Sequence, residues 1–180
     1  MRDGSQRPRA AGRGPARPDT FNFQEHRSNI VAGLNEYGMA LTELGLGVGL
    51  HQHTGTVVET RDEVYSVMES VNTKYMKFAP EVGQFQKGGA DAAKVVSDFA
   101  AITTHMHLKG YSNGKYMAGY CPLGMGVVDL ESILKTLEEA GNNPDVMYEL
   151  DRGNAPMSAR DTAEFGKAYL IRLGYKFPMA

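Results

Sequence analysis

The chain of 180 residues holds 19 Lys and Arg against 21 Asp and Glu, a formal charge of -2, with one Cys and no Trp. One domain is the expectation at that length, and 42% apolar with 22% charged residues is the balance of a globular chain rather than a disordered one. A single Cys excludes an internal disulfide framework, near-zero charge argues against a nucleic-acid partner, and no apolar run approaches the roughly 18–20 residues of a membrane span.

Charge is spread unevenly. Residues 1–20 contain Arg2, Arg7, Arg9, Arg13 and Arg17 against Asp3 and Asp19, a local +3 that leaves -5 for the rest. This Arg/Gly/Pro/Ala stretch has nothing with which to bury a face, so a disordered basic tail is expected ahead of one domain over 21–180.

Residues 23–44 place Ile30, Val31, Leu34, Tyr37, Leu41 and Leu44 at helical spacing, and Gly45 then stops the helix. Leu46–His53 alternates large apolar residues with Gly or His, the period of a strand. Thr60 and Glu63 form a capping box for a helix carrying Val64, Val67, Met68 and Val71. The same alternation recurs three times. Tyr75–Ala79 reads as a strand, and Asp91 caps a helix to about Ala100. A strand over 102–109 is followed by a loop to Gly126, then a helix from Asp129 to Ala140. Val146–Leu150 is the last strand, and Ser158 caps the last helix. One helix followed by four strand–helix units implies a parallel α/β arrangement.

In such folds the working site lies beyond the carboxyl ends of the strands. His51 and His53 end the first strand, Glu81 follows the second, His105, His107 and Lys109 end the third, and Glu149 and Asp151 the fourth. Residues two apart on a strand share a face, so the His pairs and Lys109 turn one way and Leu50, Met106 and Leu108 turn toward the helices. Two His and two carboxylates on one rim suit a divalent ion such as Mn, Zn, Co or Fe. The loop over 110–126 carries Tyr111, Tyr116 and Tyr120, suited to stacking on a ligand or to packing the loop onto the strands. Cys121 lacks a cationic activator nearby in sequence and is not expected to react.

Five stretches carry a family likeness: Leu50-His-Gln-His-Thr-Gly-Thr56, Pro80-Glu-Val-Gly-Gln84, His105-Met-His-Leu-Lys109, Pro122–Asp129 and Tyr148-Glu-Leu-Asp151. In this order the chain resembles, over roughly residues 21–177, the xylose isomerase-like TIM-barrel superfamily of sugar-phosphate isomerases/epimerases and inosose dehydratases. The resemblance implies a (β/α)8 barrel and a divalent metal (Mn, Zn, Co, Fe or Mg) held by His51, Glu81, His107 and Glu149. It further implies Glu149 and His53 as proton-handling residues, with Lys109 and Gln84 contacting a sugar or polyol substrate. Two departures stand out: Glu81 and Gln84 replace the usual Asp-x-Gly-His pair, and His51 stands where the epimerases often have a Glu.

A full barrel takes roughly 250 residues, so the expectation is the C-terminal half-barrel of about four β/α units preceded by one helix. The implied function is a metal-dependent sugar isomerase or epimerase, cytoplasmic and free of membrane and nucleic acid. The alternative is a truncated half-barrel that folds or forms a homodimer and at most binds metal.

Overall fold

The computed structural model describes residues 17–150 and 154–177. The expected tail therefore falls outside the described residues up to 16, but its end does not behave as a tail. The Arg17 amide donates to the Gly55 carbonyl at 2.8 Å, and its guanidinium makes a two-pronged pair with Glu63 at 2.7 and 2.8 Å. A planar guanidinium meeting a carboxylate in this way gives direction as well as charge, and it fastens the chain before the first helix.

Helix α1 covers Phe23–Glu43 and is capped by Asn22, whose side chain accepts the Gln24 amide at 3.1 Å. Ile30, Val31 and Leu34 pack inward as their spacing predicts. Tyr37 and Leu44, expected on the same face, are 59% and 74% exposed. Gly38 is the buried residue of that turn, where a Cβ would stand 3.3 Å from the Cβ of Tyr75, so the helix approaches on the glycine. Gly45 at φ +77° ends it, in a conformation that costs glycine little.

The parallel sheet runs β1 (Gly49–Leu50), β2 (Lys77–Phe78), β3 (His105–Leu108) and β6 (Asp145–Tyr148). β1 pairs in parallel with β2, and β3 with β6 in the register His105 to Asp145 through Leu108 to Tyr148. Bridges from Phe78 to Thr103 and Glu81 to His107 join the two pairs. The strand expected over 46–53 is short because the chain turns away after His51, with the Thr56 amide bonded to the His53 carbonyl at 3.2 Å.

Helices α2 (Arg61–Met68), α4 (Ala92–Asp98), α5 (Leu130–Glu139) and α6 (Ala159–Arg172) follow their strands, capped by Thr60, Asp91, Asp129 and Ser158. Both arms of the Thr60–Glu63 capping box are present. Leu50, Phe78, Met106 and Leu108 from the sheet meet Val64, Val67, Val95, Val96 and Ile133 from the helices. Burial of each such side chain contributes about 1.5–3 kcal/mol before the entropy of ordering it.

Two elements depart from the expected pattern. A six-residue helix, α3 (Val82–Lys87), starts on Glu81 as its N-cap. The loop over 110–126 contains an antiparallel hairpin, β4 (Gly110–Tyr111) with β5 (Tyr120–Cys121). On β6, Val146 and Met147 are exposed, unlike their counterparts on the inner strands. Among the described residues no helix is long and apolar enough to cross a membrane.

Candidate metal centre

The alternation read from β3 places the site. Met106 and Leu108 are buried in the core while His105 and His107 turn to the other face. His51 is presented the same way because Leu50 before it is committed to the core. The rings of His51 and His107 come within 4.4 Å of each other, with His53 and His105 at 4.9 and 5.1 Å from their neighbours.

His51, His107 and Glu149 each offer a donor atom, and the three atoms lie within 4.8 Å of one another. All three residues are partly accessible. Metal–ligand bonds of about 2.0–2.2 Å in a tetrahedral arrangement put donors roughly 3.3–3.6 Å apart, so side-chain movements of about an ångström close the set. Two imidazoles and one carboxylate are borderline donors that Zn, Mn, Co or Fe(II) accept well. The residues present therefore fit a divalent ion. His107 Nδ1 already lies 2.5 Å from Glu149 Oε2.

Glu81, expected as a fourth ligand, is not brought into this group. It is fully buried, its Oε1 accepts the Gly83 amide at 3.2 Å, and its Oε2 is paired with the Lys109 ammonium. Burial pushes its carboxyl up to about 7, with Lys109 pulling the other way. Lys109 is equally buried, so a solvated rim lysine is excluded. Its Nζ also lies 3.3 Å from Glu149 Oε2 and 4.9 Å from the centre of the Tyr120 ring, which Lys87 approaches to 4.7 Å. A ring approached by two ammonium groups anchors the hairpin beside the site.

Gln84 and His53 are also engaged by protein groups. Gln84 Oε1 accepts from the Thr54 amide at 3.1 Å and the Thr54 hydroxyl at 2.7 Å, and Gln84 Nε2 lies 2.9 Å from His53 Nδ1. His53 Nε2 lies 3.0 Å from His51 Nε2, and His51 Nδ1 lies 2.7 Å from the Ala79 carbonyl oxygen. Burial lowers the His51 imidazole below its ordinary value.

Sequence reasoning missed Thr54, which orients Gln84, and Gly83, where a Cβ would stand 2.9 Å from the Cβ of Lys109. Both sit inside the stretches that carried the family likeness; only their contacts were unreadable. Tyr120 is buried rather than open to a ligand, and Tyr116 is exposed. Cys121 is buried and its thiol pushed up by burial, in keeping with an unreactive residue. Asp151 lies outside the described residues.

The sequence matches, over residues 7–169, the family described as xylose isomerase-like TIM barrel. An inosose dehydratase of Clostridium perfringens is 23% identical over 162 residues, covering 82% of this chain and 54% of that protein. One from Geobacillus kaustophilus is 24% identical over 160 residues, covering 81% and 52%. The chain thus spans about half the length of these curated relatives. Among solved structures, the IOLI protein with a bound zinc atom superposes with a TM-score of 0.72 at 17% identity, covering 88% of this chain and 59% of that one. A Mycobacterium smegmatis protein in complex with magnesium gives 0.64 at 18% identity, covering 83% and 50%. These likenesses establish the barrel-type fold.

Proposed function

The chain belongs to the xylose isomerase-like TIM barrel family, and from that premise we propose that it is a divalent-metal-dependent isomerase, epimerase or dehydratase of a small sugar or polyol in the cytoplasm. The observation that carries this reading is the convergence of His51, His107 and Glu149 from three different strands on one point. His51, His107 and Glu149 would hold a divalent ion, which would supply Lewis acidity for the loss of a proton from a carbon beside a carbonyl. Glu149 removes or returns that proton with its carboxylate. His107 Nδ1 fixes the position of one Glu149 oxygen, and Lys109 supports the same oxygen from the buried side. Glu81 acts through Lys109, as the counter-charge that holds the ammonium in place. Lys109 and Gln84 therefore position other groups, where the resemblance implied direct substrate contact.

A second reading, a half-barrel that binds the ion and pairs with a second copy without turnover, is favoured by the exposed Val146 and Met147 of β6. One experiment separates the two. The protein is loaded in turn with Zn, Mn, Co, Fe(II) or Mg and incubated with inososes and ketoses while loss of substrate is followed by NMR. Turnover that Glu149→Gln abolishes supports the enzyme. One ion per chain without turnover supports the second reading, and failure to bind any ion defeats both.

A further inference from the structure

The hydrogen bonds beside the candidate metal centre form a chain whose direction is fixed at both ends by groups with no choice. At one end stands the Thr54 amide, which can only donate, so the Gln84 atom facing it is the carbonyl oxygen. The Thr54 hydroxyl at 2.7 Å is satisfied by the same assignment. The Gln84 amide nitrogen must then face His53, and since an amide NH2 only donates, His53 Nδ1 accepts. A neutral imidazole that accepts at one nitrogen carries its hydrogen on the other, so His53 Nε2 donates to His51 Nε2. At the far end the Ala79 carbonyl can only accept, which puts the His51 hydrogen on Nδ1 and leaves the lone pair on Nε2 for His53. Every link agrees in direction.

We propose that Gln84 is a positioning residue that fixes His53 as a hydrogen-bond donor, so that His53 caps the His51 lone pair in the apoprotein and, once that lone pair is taken by an ion, turns its N–H rather than a basic nitrogen to the oxygen of a bound hydroxy-ketone. This rests on the metal-site reading above for the ligand, but the direction of the chain stands on the apoprotein alone. It has a consequence for chemistry. On this reading His53 does not take the proton-handling role that the resemblance implied; a carbonyl oxygen gaining negative charge as the neighbouring carbon loses its proton is what such a donor stabilises. Ion binding at His51 Nε2 must displace the bond from His53, so the two compete for one lone pair. Gln84, with its amide split between acceptor and donor, suits this place in a way a carboxylate does not.

The test reads nitrogen directly. Long-range 1H–15N spectra of the full-length apoprotein should show hydrogen on Nδ1 of His51 and on Nε2 of His53. Hydrogen on His53 Nδ1 would overturn the proposal. In Gln84→Glu, whose carboxylate accepts where the amide donated, the His53 hydrogen should move to Nδ1; an unchanged spectrum would remove Gln84 from the role. Titration with Zn2+ alone should bind His53→Phe about 2- to 10-fold more tightly than the parent, the worth of one released hydrogen bond. Binding weakened more than tenfold would make His53 a ligand and refute the competition. A parent that binds no Zn2+ defeats the metal reading while leaving the wild-type spectrum to decide the direction.

Discussion

Lys109→Met keeps the apolar stem of the side chain and deletes the ammonium, and its effect can be sized from the surroundings. Glu81 and Lys109 are both fully buried, with the Lys109 ammonium on Glu81 Oε2 and 3.3 Å from Glu149 Oε2. Removing one partner of a buried pair leaves the other charge uncompensated and costs about 3–5 kcal/mol, a large share of the 5–15 kcal/mol typical of a domain. The lost contact with the Tyr120 ring falls within that figure. With a urea dependence of about 2 kcal/mol per molar, the unfolding midpoint should fall by roughly 1.5–2.5 M. Urea unfolding followed by circular dichroism is the assay, run at pH 8.5, where the parent's Glu81 with its carboxyl near 7 is ionised and paired; in the variant the carboxyl loses the pull of Lys109 and rises further, so its protonation is part of the cost being measured. Glu81→Gln combined with Lys109→Met removes both charges and should recover at least half of the loss. A midpoint shift under about 0.5 M in the single variant, or a double variant no better than the single, would refute the argument that these charges depend on each other.

Glu63→Gln should destabilise by about 1–2 kcal/mol at pH 7, since Glu63 caps α2 and receives both prongs of Arg17. Burial alone would raise the Glu63 carboxyl, but the hydrogen bonds from Arg17 and from the Glu59 and Thr60 amides outweigh it and hold the group below its ordinary 4.5. Its contribution is therefore complete above that value and is lost as pH falls through the lower folded one, so the gap between parent and variant should close in thermal unfolding between pH 5 and 3. Gly83→Ala introduces a Cβ 2.9 Å from the Lys109 Cβ and 3.0 Å from its Cγ, and should cost about 1–3 kcal/mol by the same urea assay. Zn2+ at a hundred times its dissociation constant should stabilise the parent by about 2.7 kcal/mol, seen as a rise in melting temperature that EDTA reverses and His107→Ala abolishes.

What the sequence made legible was what each residue settles with its near neighbours. The caps at Thr60, Asp91, Asp129 and Ser158 could be read because each side chain reaches an amide three residues away. The two faces of β3 could be read because alternation is a property of consecutive residues. Helix α3 could not, because six residues are too few for a period and Glu81 looks the same at a strand end as at an N-cap. Lys109 could not be told from a solvated lysine, because its burial is decided by Glu81 at the N-cap of α3 and by the absence of a side chain at Gly83. The hairpin within 110–126 depends on pairing Tyr111 with Tyr120, and nothing local in a glycine-rich stretch specifies that register.

The two-sidedness of β3 has one more consequence. A slip of one residue against β6 would send Met106 and Leu108 to the polar face and drive His105 and His107 among the valines and isoleucines behind the sheet. Histidine 15N signals from this cluster are therefore a ruler for strand alignment, sensitive to a displacement too small to change the helix content of the whole chain. A variant that keeps its helical circular dichroism but scrambles those signals has folded one notch out of place.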